Sequence, residues 1–141
     1  MSKRMNRGFS LLELLIVVAI ILIIATIAIP SMLRSRQAAN EAAAAANLRT
    51  ITTAQITFGA SHAGSFGSIA ELISEALIDN RFAGSTISGF TFAITSGFAT
   101  FTAQANPLGN SGRYNYVVYE DGVIRYNSQY PTGFAPNSVV Q

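Results

Sequence analysis

The chain has no cysteine. Disulfides, thiolate-bound zinc and a cysteine nucleophile are therefore excluded. It has one histidine, His62, and only 11% of its residues are charged, so chemistry needing several imidazoles or a dense carboxylate cluster has little to draw on. From Leu14 to Leu33 there is no charged residue at all. No glycine-rich phosphate loop opens a helix, and no repeat of solenoid period occurs. The aromatic residues lack the basic groove of a nucleic-acid platform. The formal charge of +2 comes from the first residues: without Lys3, Arg4 and Arg7, six basic side chains face seven acidic ones.

What the chain does have is one apolar run, Phe9–Pro30, with a single carboxylate, Glu13, near its start. A run of this length can cross the ~30 Å hydrocarbon core of a bilayer as a helix. It is apolar all round, as a span should be. The basic residues before it read as a positive-inside signal that keeps the N-terminus in the cytoplasm. A secretory signal is cut after its apolar region. Here the candidate cut, Gly8-Phe9, precedes that region, so the helix would be retained. Glu13 is costly at the edge of a membrane run and by default marks function. A cut after Gly8 would create an α-amino group close to Glu13 at i, i+4 spacing. Across two chains the same pair would set the stagger of neighbouring helices.

The short basic leader Met1–Gly8, the junction Gly8-Phe9, Glu13, the apolar run and Pro30 together resemble the type IV pilins and their relatives, the type II secretion pseudopilins. The resemblance covers roughly the first 50 residues firmly and the remainder only in general layout. It implies cleavage after Gly8 by a membrane prepilin peptidase, N-methylation of Phe9, and assembly through Phe9 and Glu13 into a helical filament. Implied partners are identical and related pilin subunits, the peptidase, the assembly platform of the bacterial inner membrane, and that membrane's lipid before assembly. Many type IV pilins close a C-terminal loop with a disulfide, which this chain cannot do. Major pseudopilins carry a calcium site in their C-terminal part. Here Glu120-Asp121 and Asp79-Asn80 read as turn residues instead, so no metal or cofactor is expected.

Residues 9 to about 57 read as one helix, which at 1.5 Å per residue would be about 75 Å long. Pro30 removes an N–H and crowds the preceding turn, which predicts a kink or local opening; equally it reads as a tolerated membrane-helix proline. Beyond the run the helix becomes amphipathic. Arg34, Arg36, Gln37, Asn40 and Glu41 are polar, and Ala44, Ala45, Leu48, Ile51 and Phe58 form a stripe for packing on a sheet. Ala42–Ala46 has the highest helix propensity available and also permits close helix approach. Gly59, Gly64 and Gly67 break the pattern. Ser68 and Glu71 then fit a capping box that opens a short helix over about 69–78.

Strands follow. Residues 89–95 place Phe90, Phe92 and Ile94 on one face, Ser96-Gly97 turns, and 99–104 pairs back. Residues 106–112 form a loop. Residues 113–119 and 123–126 form a hairpin with Asp121-Gly122 at its turn, and an irregular tail contains Tyr130-Pro131 and Ala135-Pro136. Antiparallel strands of this kind bury one face. The fold class is α+β: a long N-terminal helix packed on a small antiparallel sheet of about four strands, with one short extra helix. The expected divisions are a leader, 1–8, a transmembrane or filament-core half-helix, 9–33, and a globular domain, 34–141.

His62 with Ser61 and Asp79 would make a nominal triad. Adjacent residues do not face each other productively and no nucleophile elbow precedes Ser61, so His62 reads as a solvated loop residue and no catalytic residue is assigned. Most of the aromatics Phe90, Phe92, Phe101, Tyr114, Tyr116, Tyr119 and Tyr126 read as cross-strand packing. The expected function is not enzymatic: a structural subunit of a surface filament serving adhesion, motility or DNA uptake. The alternative is a pseudopilin. A third reading, a single-span membrane-anchored binding protein or enzyme, explains the apolar run but not Glu13, the glycine junction or the leader.

Overall fold

The structure, a computed structural model, describes residues 9–84, 86–127 and 138–139. Its first element, α1, is one helix, Leu11–Ser61. The chain separates into two compact units, Met1–Ser35 and Arg36–Gln141, and α1 contributes to both.

In the first unit α1 is nearly bare. Its large apolar side chains range from 47% exposed at Val17 to 83% at Leu11. Such a surface is not sustained in water and marks a membrane or protein contact. Pro30 cannot donate the i→i−4 bond of its turn, yet α1 runs through it as one helix.

In the second unit the predicted stripe of α1 is buried: Ala44, Ala45, Leu48, Ile51 and Phe58 all lie in the core. The helix outlasts its predicted end near residue 57. Gly59 sits inside its last turn, beside the Phe66 ring, where a Cβ would make an ordinary contact at 3.5 Å. Termination comes later, at Ala63 and Gly64, which take left-handed φ of 53° and 87°, and the Gly64 N–H closes back on the Gly59 carbonyl at 2.9 Å. The second helix, α2 (Ile69–Ser74), carries the predicted capping box on Ser68 and Glu71. It is shorter than expected because Ala76 turns left-handed, with φ 57°. The Leu77 and Ile78 N–H groups fold back onto the Leu72 carbonyl. A 3-10 turn, Asn80–Phe82, follows, with Asp79 as its N-cap.

The sheet is an antiparallel meander in chain order: β1 (Phe90–Ser96), β2 (Phe101–Pro107), β3 (Asn115–Tyr119), β4 (Ile124–Asn127) and the two-residue β5 (Ser138–Val139). Within the expected irregular tail, two described residues are paired: Val139 stands opposite Arg125 and Ser138 opposite Tyr126. Tyr130-Pro131 and Ala135-Pro136 lie outside the described residues. β2 runs past its predicted end, so the loop begins at Leu108, and Pro107 stands opposite Phe90 at the strand's end. Arg113 and Tyr114 fall outside β3 because the Arg113 N–H is given to Glu41 at 2.7 Å instead of to a ladder. Gly122 supplies the positive φ, 71°, at the β3–β4 turn. Phe90 is buried and Phe92 and Ile94 half-buried on the predicted face, while Thr91, Ala93 and Thr95 are exposed.

The β2–β3 loop approaches the sheet closely at Gly112, where a Cβ would stand 2.4 Å from Cζ of the fully buried Phe90. The ring is fully buried, so it must shift within the core to make room. Gly112→Ala is therefore expected to lower stability by about 1–3 kcal/mol, the usual cost of overpacking. Denaturant unfolding of the full chain in detergent measures it, and an unchanged midpoint would show that the loop yields instead.

Candidate functional site

The sequence candidates cluster at the start of α1. Gly8 lies outside the described residues. Phe9 and Ser10 are described and non-helical, and Phe9 is 82% exposed. The helix begins at Leu11, so Glu13 is its third residue. Its Oε2 accepts the Ser10 N–H at 2.9 Å, and Ser10 Oγ accepts the Leu12 N–H at 3.3 Å. These reciprocal bonds satisfy amides that would otherwise have no partner at a helix start. Glu13 thus has a local role in addition to any intermolecular one: it ends the helix just short of Phe9 and places negative charge at the positive end of the macrodipole. Ser10 is not among the residues singled out from sequence, although the Ser-x-x-Glu spacing that revealed the Ser68 cap occurs here too.

Below this cap, Leu11, Leu14, Leu15, Val18, Ala19 and Leu22 share one face and line a shallow apolar groove. Their spacing, i, i+3, i+4, i+7, i+8 and i+11, is that of a helix-packing seam. Ala19 leaves the notch in it. The seam has no polar group, so it favours helix contact without fixing an axial position. Among the described residues, Glu13 is the one acidic or basic side chain near it, at one end. Pro30 lies further along the same helix.

The second unit holds polar groups that are structural in their geometry. Glu41, 7% exposed, receives the Arg113 N–H and both Nε (3.2 Å) and Nη2 (3.0 Å) of its guanidinium. This bidentate pair raises the Arg113 pKa, first through the hydrogen bond and then through the charge of Glu41. One turn earlier Gln37 donates to the Asn110 carbonyl at 2.9 Å, and Asn40, next to Glu41 in the chain, donates to the Ser111 carbonyl at 3.0 Å. One face of α1 therefore fastens the β2–β3 loop. Sequence placed Glu41 on the polar side, and nothing local distinguishes it from a solvated glutamate; its partner lies 72 positions away. Burial, and secondarily Glu41, pushes the neighbouring Tyr116 hydroxyl up to about 12, which keeps it protonated. Gln55, fully buried, accepts the Gly67 N–H at 2.9 Å and donates to the Gly67 carbonyl at 2.6 Å.

The nominal triad is not assembled. Ser61 Oγ does come within 3.0 Å of His62 Nδ1, but the same nitrogen and the same hydroxyl both also meet the Phe58 carbonyl at 3.0 Å. His62 Nε2 faces Glu75 at 3.1 Å, and the ring stacks on Phe58. Asp79 is elsewhere, accepting the Arg81 N–H at 2.9 Å. These contacts tie down the end of α1. The carboxylate pairs behave as turn residues: Asp121 accepts the Val123 N–H at 2.9 Å and holds Arg125 at 2.6 Å. The guanidinium hydrogen bond, with the Val123 amide next, keeps the Asp121 carboxyl below its ordinary range. Among the described residues, no three His, Cys, Asp or Glu side chains come together as metal ligands.

Residues 3–29 match the family model described as the prokaryotic N-terminal methylation motif. Over 53 residues the chain is 49% identical to the type IV major pilin protein PilA of Myxococcus xanthus, a match covering 38% of this chain and 24% of that relative. Over 109 residues it is 36% identical to the type IV wide pilus major component PilA4 of Thermus thermophilus, covering 77% of each. The first match thus spans about a quarter of its relative and the second about three quarters.

Proposed function

Because this chain belongs to the type IV pilin family, we propose that it is a non-enzymatic pilus subunit, cut after Gly8 and polymerised through its N-terminal helix into a surface filament. The observation that carries this most directly is the first unit. A bare apolar helix stands behind a carboxylate-capped start, with Phe9 and Ser10 left outside the helix. A membrane accommodates such a helix before assembly, and a bundle of identical helices accommodates it afterwards. In the precursor the cytoplasmic side holds residues 1–8 and the helix lies in the inner membrane; residues from about 34 onward form the globular domain outside it. In the filament the methylated Phe9 amine of one subunit neutralises Glu13 of the next. No lysine or arginine occurs between Phe9 and Arg34 to take its place. Adhesion, motility and DNA uptake are the roles such a filament serves.

A pseudopilin would share this assembly logic. Both curated relatives named above are described as major pilus proteins, which favours the pilus.

The test is maturation. A peptidase acting on backbone at a membrane surface needs an uncluttered site, and Gly8 has no side chain to obstruct it. Gly8→Val is expected to block cleavage almost completely, leaving full-length protein in the membrane and none in the sheared surface fraction. Filaments of normal yield built from the uncut variant would overturn the proposal.

A further inference from the structure

Three large apolar side chains of the second unit stand exposed among its described residues: Ile56, Phe98 and Leu108. Ile56 sits singly on the outer face of α1, and a lone surface isoleucine calls for no explanation. Phe98 and Leu108 differ in placement. They bracket β2, Phe98 on the turn before it and Leu108 on the loop after it. The seven residues of β2 put roughly 20 Å between them.

Both are held firmly. At the turn, the Phe66 N–H donates to the Gly97 carbonyl and the Ala99 N–H to the Gly64 carbonyl, each at 3.1 Å, and Ser65 bridges Phe98. Ala99 takes a left-handed φ of 62° there, a conformation that a Cβ disfavours. At the other end the Leu108 N–H donates to the Gly89 carbonyl at 2.8 Å, and Gln37 and Asn40 anchor the residues after it. The two ends also differ in charge. Glu71 and Glu75 flank the 62–68 loop that borders the Phe98 turn, Glu75 lying 3.1 Å from His62. Arg36 precedes the Gln37 that grips the Leu108 loop, and no carboxylate pairs with Arg36 among the described residues.

We infer that the globular unit carries a head-to-tail contact for a second copy of this chain: the Phe98 turn of one subunit packs beside the Leu108 loop of the next, with Glu71 and Glu75 facing Arg36. Two unlike patches make a heterologous contact, which propagates along a filament and does not close into a dimer. It supplies the rotational register of the globular units, which neither a seam of leucines nor the single Phe9–Glu13 pair does. The contact rests on the pilus reading, because a patch this small does not hold two subunits together by itself and acts only once the N-terminal helices are bundled.

The chain has no cysteine, so an introduced pair reports without background. Cells assembling the Phe98→Cys, Leu108→Cys double variant are sheared, and the filaments are treated with a mild oxidant. On a non-reducing denaturing gel the double variant is expected to give a ladder of dimers, trimers and higher species, and each single variant a monomer. A disulfide needs Cα atoms within about 7 Å, so the ladder reports direct apposition. Filaments of normal yield with no ladder overturn the inference, as do single variants that cross-link equally well. Absence of filaments from the wild-type chain would instead overturn the pilus reading. Should the double variant not assemble, charge exchange decides the matter. Arg36→Glu is expected to make filaments dissociate at lower shear, and adding Glu75→Arg to restore them. An Arg36→Glu filament as robust as wild type would overturn the contact.

Discussion

Glu13→Gln is expected to insert in the membrane, to be cut after Gly8, and to yield almost no filament. The structure explains why glutamine is the informative replacement. Glu13 Oε2 accepts the Ser10 N–H, and a glutamine oxygen can do the same, since either residue completes a capping box. The helix start and the exposed Phe9 are therefore kept, and only the charge is lost. In a filament core largely free of water, the Phe9 ammonium of the neighbouring subunit would then be left without a counter-charge. Breaking a buried pair by removing one partner costs about 3 kcal/mol or more, roughly a hundredfold in the association constant. Glu13→Ala removes charge and cap together, so the difference between the two variants in maturation rate reads the cap alone. Quantifying the mature subunit in sheared and membrane fractions checks this. Normal filament yield from a chain carrying only glutamine would show that the charge does not set the register.

Gln55→Leu is expected to be the most damaging single change in the globular unit. The side chain is fully buried and meets both backbone groups of Gly67. Leucine fills much of the same space but leaves the Gly67 N–H and carbonyl unpaired, and Gly67 is itself buried. Each orphaned group costs about 1–3 kcal/mol, so for the two a loss of roughly 2–6 kcal/mol is expected. That is a large part of the stability of a small domain. Gln55→Glu keeps an acceptor for the Gly67 N–H but loses the donor and buries a charge, so it does not rescue the fold. Equilibrium unfolding of the full chain in detergent measures both. A shift for Gln55→Leu no larger than that of an exposed substitution such as Thr53→Leu would show that the Gln55–Gly67 bonds carry little of the stability.

What sequence made legible and what it hid separate by range. Signals within a few residues were readable: the Ser68–Glu71 cap, the Asp121-Gly122 turn, the alternating face of β1, and the apolar stripe Ala44–Phe58. The apolar run, the basic leader and Glu13 at one spacing carried the family. Element ends were less legible because tertiary contacts set them. Gly59 looked like a breaker, but α1 continues until Ala63 and Gly64 turn left-handed. Arg113 looked like strand, but its N–H is committed to Glu41. β5 is two residues that gain strand character only by pairing with β4. The polar contacts that fix the globular unit, Glu41 with Arg113 and Gln55 with Gly67, join positions far apart in the chain, and a glutamate or glutamine bound for the core looks in sequence like one bound for solvent. Ser10 is the exception, since its spacing to Glu13 is local and was readable.

The most direct measurement is the mass of the intact subunit in filaments sheared from the cell surface, with its N-terminal residue identified. The account requires a chain that begins at N-methylated Phe9, recovered in the sheared fraction. A chain still carrying Met1–Gly8, or one that remains with the inner membrane and never appears in filaments, would contradict it.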